Sequence, residues 1–101
     1  MAGGGRRDEV DAKITGWEKD LERLRVALAG APESVHDAHH QHFTDLYRCK
    51  EVVKSRWELV RGVYRPDPTA VQRFEEALAA MEAAWEKAQP MLAGVPALRA
   101  A

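Results

Sequence analysis

At 101 residues the chain has room for one core, and much of its 46% hydrophobic content is alanine, which builds helix well and buries little area. Its 15 basic and 16 acidic residues interleave to a net charge of −1, which excludes the basic stripe of a nucleic-acid binder. No apolar run reaches the roughly 18 residues of a membrane span, so membrane insertion is not expected, and the lone Cys49 cannot form an internal disulfide; the cytoplasm is the expected compartment.

Met1 to Arg7 holds three glycines and two arginines with no apolar stretch behind them, and reads as a disordered tail rather than an export signal. From Asp8 the large apolar residues fall at Val10, Ile14, Trp17, Leu21, Leu24 and Leu28. These alternating steps of four and three are a heptad seam. Gly30 supplies a left-handed stop and Pro32 forbids continuation, so the first helix is expected from Asp8 to Ala29. The second opens either with Pro32 in its first turn or with Ser34 as N-cap.

The seam of the second helix is read through Leu46, Cys49, Val53, Trp57, Val60 and Tyr64, with a stutter of four and four around Val53. Arg65-Pro66-Asp67-Pro68 ends it, with Asp67 as N-cap and Pro68 as first residue of the next helix. The third helix repeats the heptad at Val71, Phe74, Leu78, Met81, Trp85 and Ala88 until Pro90 kinks or stops it. Residues 90–101 form an apolar tail able to pack back on the bundle.

Short connections at Gly30 to Pro32 and Arg65 to Asp67 impose antiparallel neighbours. The expected fold is therefore all-α: an antiparallel, up-down-up three-helix bundle over residues 8–89, with coiled-coil-like seams and a long central helix near Ser34 to Arg65. Equal rises place the first helix beside the start of the second, and the third beside its end. Both ends of the central helix would then lack a cover, which makes Trp57, Val60 and Tyr64 at one end, and Met91 and Leu92 at the other, candidates for an interface. Phe43 and Tyr47, four apart beside the seam, join them.

All four histidines lie within seven residues, at His36, His39, His40 and His42. On a helix, His36 with His40 and His39 with His42 lie one turn apart, and either pair can chelate Zn²⁺, Ni²⁺ or Cu²⁺. A closed tetrahedral site needs further ligands, and His42 with Asp45 and Cys49 is one set the spacing offers. Extending the seam backwards from Leu46 puts His42, then His39 or Ala38, at core positions. Trp17, Trp57 and Trp85, one per helix and all on seams, read as core, with two or three stacked together.

Catalysis finds no pattern to rest on. The sequence has no nucleophile elbow, phosphate-cradling glycine loop or HExxH, and adjacent Glu75 and Glu76 point along different helix faces. The segments Ile14-Thr-Gly-Trp17-Glu-Lys-Asp-Leu21-Glu-Arg-Leu24, Trp57-Glu-Leu and Phe74-Glu-Glu-Ala-Leu-Ala-Ala-Met-Glu-Ala-Ala-Trp85 resemble those of a family of small bacterial coiled-coil proteins, some stress-linked in cyanobacteria. The resemblance implies a helical bundle and carries no catalytic residues; the histidine cluster and the Pro66-Asp67-Pro68 turn depart from it.

The expected role is a non-enzymatic interaction protein that self-associates or binds a partner helix, and no cofactor is required for it. Binding of a divalent transition metal by the histidines is the alternative. Reversible attachment to a lipid or polymer surface is a second, weakened by polar faces of mixed sign.

Overall fold

The computed structural model describes residues 5–92, the Met91 side chain excepted. Three helices run from Gly5–Ala29 (α1), Glu33–Glu58 (α2) and Pro68–Leu92 (α3). The chain is all-α, as its periodicity requires. The expectations for residues 1–4, for 93–101 and for Met91 at an interface lie outside the described residues.

Helix α1 starts three residues before Asp8, so Gly5, Arg6 and Arg7 belong to it rather than to a tail. Arg6 holds them there, pairing with Glu9 one turn on and with Glu75 of α3 at 2.8 Å. At the other end the Gly30 N–H donates to the Val26 carbonyl and Ala31 to Leu28, closing the last turn. Pro32 then occupies the N-cap position of α2 with φ −56° and ψ 150°. Ser34 lies inside the helix, and no side chain caps its first turn.

Helix α2 ends at Glu58, well short of the expected Arg65. Beyond Trp57 the bonds tighten: Leu59 donates to the Arg56 carbonyl, and Val60 to Trp57. Gly62 then takes a φ of +71°, a left-handed position that favours glycine. Hydrophobic spacing carries the eye through Val60 to Tyr64 and past that glycine, so the connection to α3 spans 59–67 and not three residues. Arg65 is also left-handed, at φ 60°, where the following proline disfavours helix. Asp67 behaves as expected at an N-cap, its carbonyl accepting from the Val71 N–H at 3.0 Å.

Pro90 does not stop α3, which is described as far as Leu92. The heptad continues through Val71, Phe74, Leu78, Met81, Trp85, Ala88 and Leu92, the last buried. Burying a leucine stabilises by about 1.5–3 kcal/mol, enough to offset much of the roughly 3 kcal/mol that an interior proline costs.

Ion pairs fix the register. On α1, Asp11 reaches Trp57 of α2 and Arg61 just past its end; one heptad later Glu18 reaches Lys50 and Lys54, one heptad earlier along the chain. The two helices are therefore antiparallel. Between α1 and α3, Arg6 pairs with Glu75 and, a heptad on, Lys13 with Glu82, so these two run parallel. Exposed pairs of this kind add little to stability; their repeat at seven residues selects one register among several that an apolar seam allows.

This register reverses the expected stagger. Since Asp11 lies level with 57–61, Ala29 lies level with about 39–43, and α2 begins roughly two turns beyond the end of α1. Equal-rise reasoning assumed a tight hairpin, whereas extended Pro32 carries the chain onward before α2 starts. The far end of α2 is thus covered by both neighbours, and its first turns stand furthest from α1.

All six seam residues of α1 are buried, with Leu46, Val53 and Trp57 of α2, Val60 just after it, and Phe74, Leu78, Met81 and Leu92 of α3. The expected α2 seam needs correction at two places. Cys49 is half-buried beside the core, while Lys50 is only 4% exposed. The seam therefore runs Leu46, Lys50, Val53, Trp57, Val60, an unbroken heptad with a lysine in it, and the stutter disappears. Tyr64, its expected last member, is 85% exposed.

Candidate functional site

The heptad that passes through Lys50 continues upward through Leu46 to Phe43 and His39, not to His42. Phe43 accordingly packs against the core cluster, and the His39 Nδ1 is buried without a hydrogen-bond partner. Phe43 lies on the seam rather than beside it. The upper half of α2 offers the core two aromatic rings, one of them polar.

Beside this seam, and sharing Phe43 and Lys50 with it, a second line of side chains follows the same spacing. His36 and His40 stack with ring centroids 5.2 Å apart and planes 16° from parallel. Phe43 and Tyr47 lie 6.0 Å apart and tilted. The Lys50 ammonium then sits 4.4 Å over the Tyr47 ring. Two ring pairs and one cation–π contact thus share one side of α2 over four turns, from its exposed start to a buried cation.

Lys50 is held from three sides. Its Nζ donates to Glu51, lies 3.8 Å from Glu18 of α1, and touches Tyr47. Glu18 is shared, since Lys54 also donates to it at 2.9 Å. The Lys50 hydrogen bond lowers the Glu51 pKa, with attraction from Lys50 and Lys54 adding to it, while the Glu18 hydrogen bond raises that of Lys54. Sequence reading missed Lys50 because a thiol beside it looked the more natural core residue. A strict count of four and three back from Trp57 would have found it.

Among the other expected interface residues, Trp57 and Val60 are buried in the bundle and cannot meet a partner. The Trp57 indole N–H donates to Asp11 at 2.8 Å and its ring lies 4.7 Å from Phe74, so it joins all three helices. No aromatic contact among the described residues links two tryptophans. Leu92 is buried as well. At the connection after α2, Tyr64 is exposed with Leu59 and Val63, two residues the sequence did not single out. The Arg65 guanidinium covers one face of Tyr64, 5.3 Å from its ring centre.

The histidines do not converge as one group. His36 and His40 occupy the outer line, His39 the seam, and His42 tilts toward His39 at 5.9 Å. No three potential ligands among the described residues surround a common point, so the set of His42, Asp45 and Cys49 does not form. Asp45 instead accepts from Gln41 at 2.8 Å. His36 Nδ1 faces Asp37 Oδ1 at 3.4 Å.

No helix is long and apolar enough to cross a membrane among the described residues. No family model, no curated protein and no solved structure matches the chain. The functional reading therefore rests on this geometry.

Proposed function

We propose that the protein is a non-catalytic helical-bundle interaction module that self-associates through the upper half of α2. The observation that carries this reading is the aromatic run His36, His40, Phe43 and Tyr47, on a helix whose start stands beyond α1. Tyr47 remains 45% exposed at its centre.

Charge favours a second copy as the occupant. Beside the aromatic run lie Asp37 and Arg48, three helical turns apart on one face and both exposed. Arg48 has no ion pair among the described residues. Two copies of α2 packed antiparallel about a two-fold axis near residues 42–43 set Asp37 of each opposite Arg48 of the other. The same arrangement brings Tyr47 level with the His36–His40 stack of its mate. An isologous contact of this kind makes each favourable pair twice. The resemblance to bacterial coiled-coil proteins agrees with such a role, and so does the expected cytoplasmic setting.

The test is sedimentation velocity over a concentration series. The wild type should shift from monomer toward dimer, and Tyr47→Ala should hold it at monomer. Arg48→Asp should weaken the dimer, and the swap of Asp37→Arg with Arg48→Asp should restore it. A wild-type chain that stays monomeric at millimolar concentration overturns the proposal; a dimer indifferent to Tyr47 and Arg48 overturns the surface assigned to it.

A further inference from the structure

We infer that His36 and His40 form a bidentate site for a divalent transition metal, with Cu²⁺ and Ni²⁺ preferred over Zn²⁺. The sequence offered two histidine pairs and gave no reason to choose. The geometry separates them. His36 and His40 stand one turn apart on the outer line of α2, with ring centroids 5.2 Å apart, the His36 side chain 43% exposed and His40 exposed, so both rings are free to turn toward one ion. His39 sits on the seam with Nδ1 buried, and its ring is tilted 47° from that of His42. Binding by that second pair draws on a ring that the bundle partly buries.

The neighbour of His36 supports the same choice. Asp37 Oδ1 lies 3.4 Å from His36 Nδ1. A proton kept on Nδ1 by that carboxylate leaves the lone pair on Nε2, and a carboxylate behind a ligating imidazole is the usual arrangement for orienting it. His40 lies on the exposed face and turns to meet the ion without cost to packing. Its own backbone carbonyl accepts from Thr44 Oγ1 at 3.1 Å, which ties that turn to the next.

No third ligand converges, so water fills the remaining positions, and the affinity follows what two imidazoles supply. Two neutral nitrogen ligands with open positions favour the tetragonal ions at the top of the divalent series, hence copper and nickel before zinc. Binding also clamps residues 36–40 across one turn, close to a helix start that no side chain caps. The ion therefore stabilises the first turns of α2. Both ligands lie on one helix of one chain, so the site is complete in a monomer; because it shares the face proposed for self-association, the titration is made at a protein concentration where the chain is monomeric.

Calorimetric titration of Ni²⁺ and Cu²⁺ into the full-length chain, with backbone amide exchange followed in parallel, tests this. The wild type should bind one ion per chain, with amide exchange slowed over residues 36–44. His36→Ala with His40→Ala should weaken binding at least tenfold and abolish the slowing, with the far-ultraviolet circular dichroism unchanged. His39→Ala with His42→Ala should leave both readouts as in the wild type. Equal binding by the wild type and the His36/His40 variant overturns the assignment, as does loss of binding in the His39/His42 variant. Slowed exchange elsewhere than in the first half of α2 overturns it too.

Discussion

Lys50→Leu should stabilise the bundle, although it removes a cation with two carboxylate neighbours. The side chain is 4% exposed and occupies a seam position between Leu46 and Val53. A leucine there completes an apolar stripe, and burying one stabilises by about 1.5–3 kcal/mol. Against this stands the loss of the pairs with Glu18 and Glu51. Both carboxylates are partly exposed and rehydrate when the ammonium leaves, and Glu18 keeps Lys54. Removing a buried ion pair from a structure whose partners can reach water is commonly neutral or stabilising, by about 1–4 kcal/mol. The expected net gain is about 1–2 kcal/mol. For a domain of this size that raises the Tm by roughly 4–8 °C for each kcal/mol. Urea unfolding followed by circular dichroism at two protein concentrations measures it, and separates stability from association. A Lys50→Leu chain less stable than wild type by more than about 1 kcal/mol would show that the Glu18, Glu51 and Tyr47 contacts outweigh apolar packing, and would refute the reasoning.

Three further outcomes follow from the same contacts. Trp57→Ala should cost about 3–5 kcal/mol, and Trp57→Phe, which keeps the ring against Phe74 and loses only the N–H to Asp11, clearly less; equal losses in chemical denaturation would mean that the hydrogen bond dominates. The Arg61 guanidinium, and after it the Trp57 N–H, hold Asp11 at about 2 against an ordinary 3.8. Its contribution is complete above pH 3.8 and lost as pH falls toward 2, so wild type and Asp11→Asn should converge in stability over that window and differ above it. Gly62→Ala should destabilise by about 1–2 kcal/mol because alanine resists the left-handed backbone there, and an unchanged unfolding midpoint would place the strain elsewhere.

What could be read from the sequence depended on whether one residue type dominated a position. The α1 seam was legible because all six of its members are large and apolar, with no polar rival at any step. The same held for α3, where Leu92 shows the heptad running on through a proline that local rules read as a stop. In α2 the pattern misled, because Cys49 and Lys50 compete for one position and chemical type favoured the thiol. That single displacement created a false stutter and carried the upper seam from Leu46 to His42 instead of Phe43. The stagger was illegible for another reason. It is set by charged pairs such as Glu18 with Lys50 and Lys54, whose partners the sequence does not name.

The polar seam positions explain why α2, and not its neighbours, carries the candidate sites. A helix with Lys50 and His39 facing inward has less apolar surface to hold its upper half than α1 or α3, so more of its aromatic area is left at the edge of the core. Tyr47 covers the buried ammonium from outside, and in doing so is fixed where a second copy can reach it. The His36–His40 pair sits beyond that, on turns that no side chain caps and that lie furthest from α1. Interior polarity at Lys50 and surface chemistry at the histidines thus belong to one run along α2. A change at Lys50 should accordingly be felt at Tyr47, whereas a change at His36 should leave the core untouched.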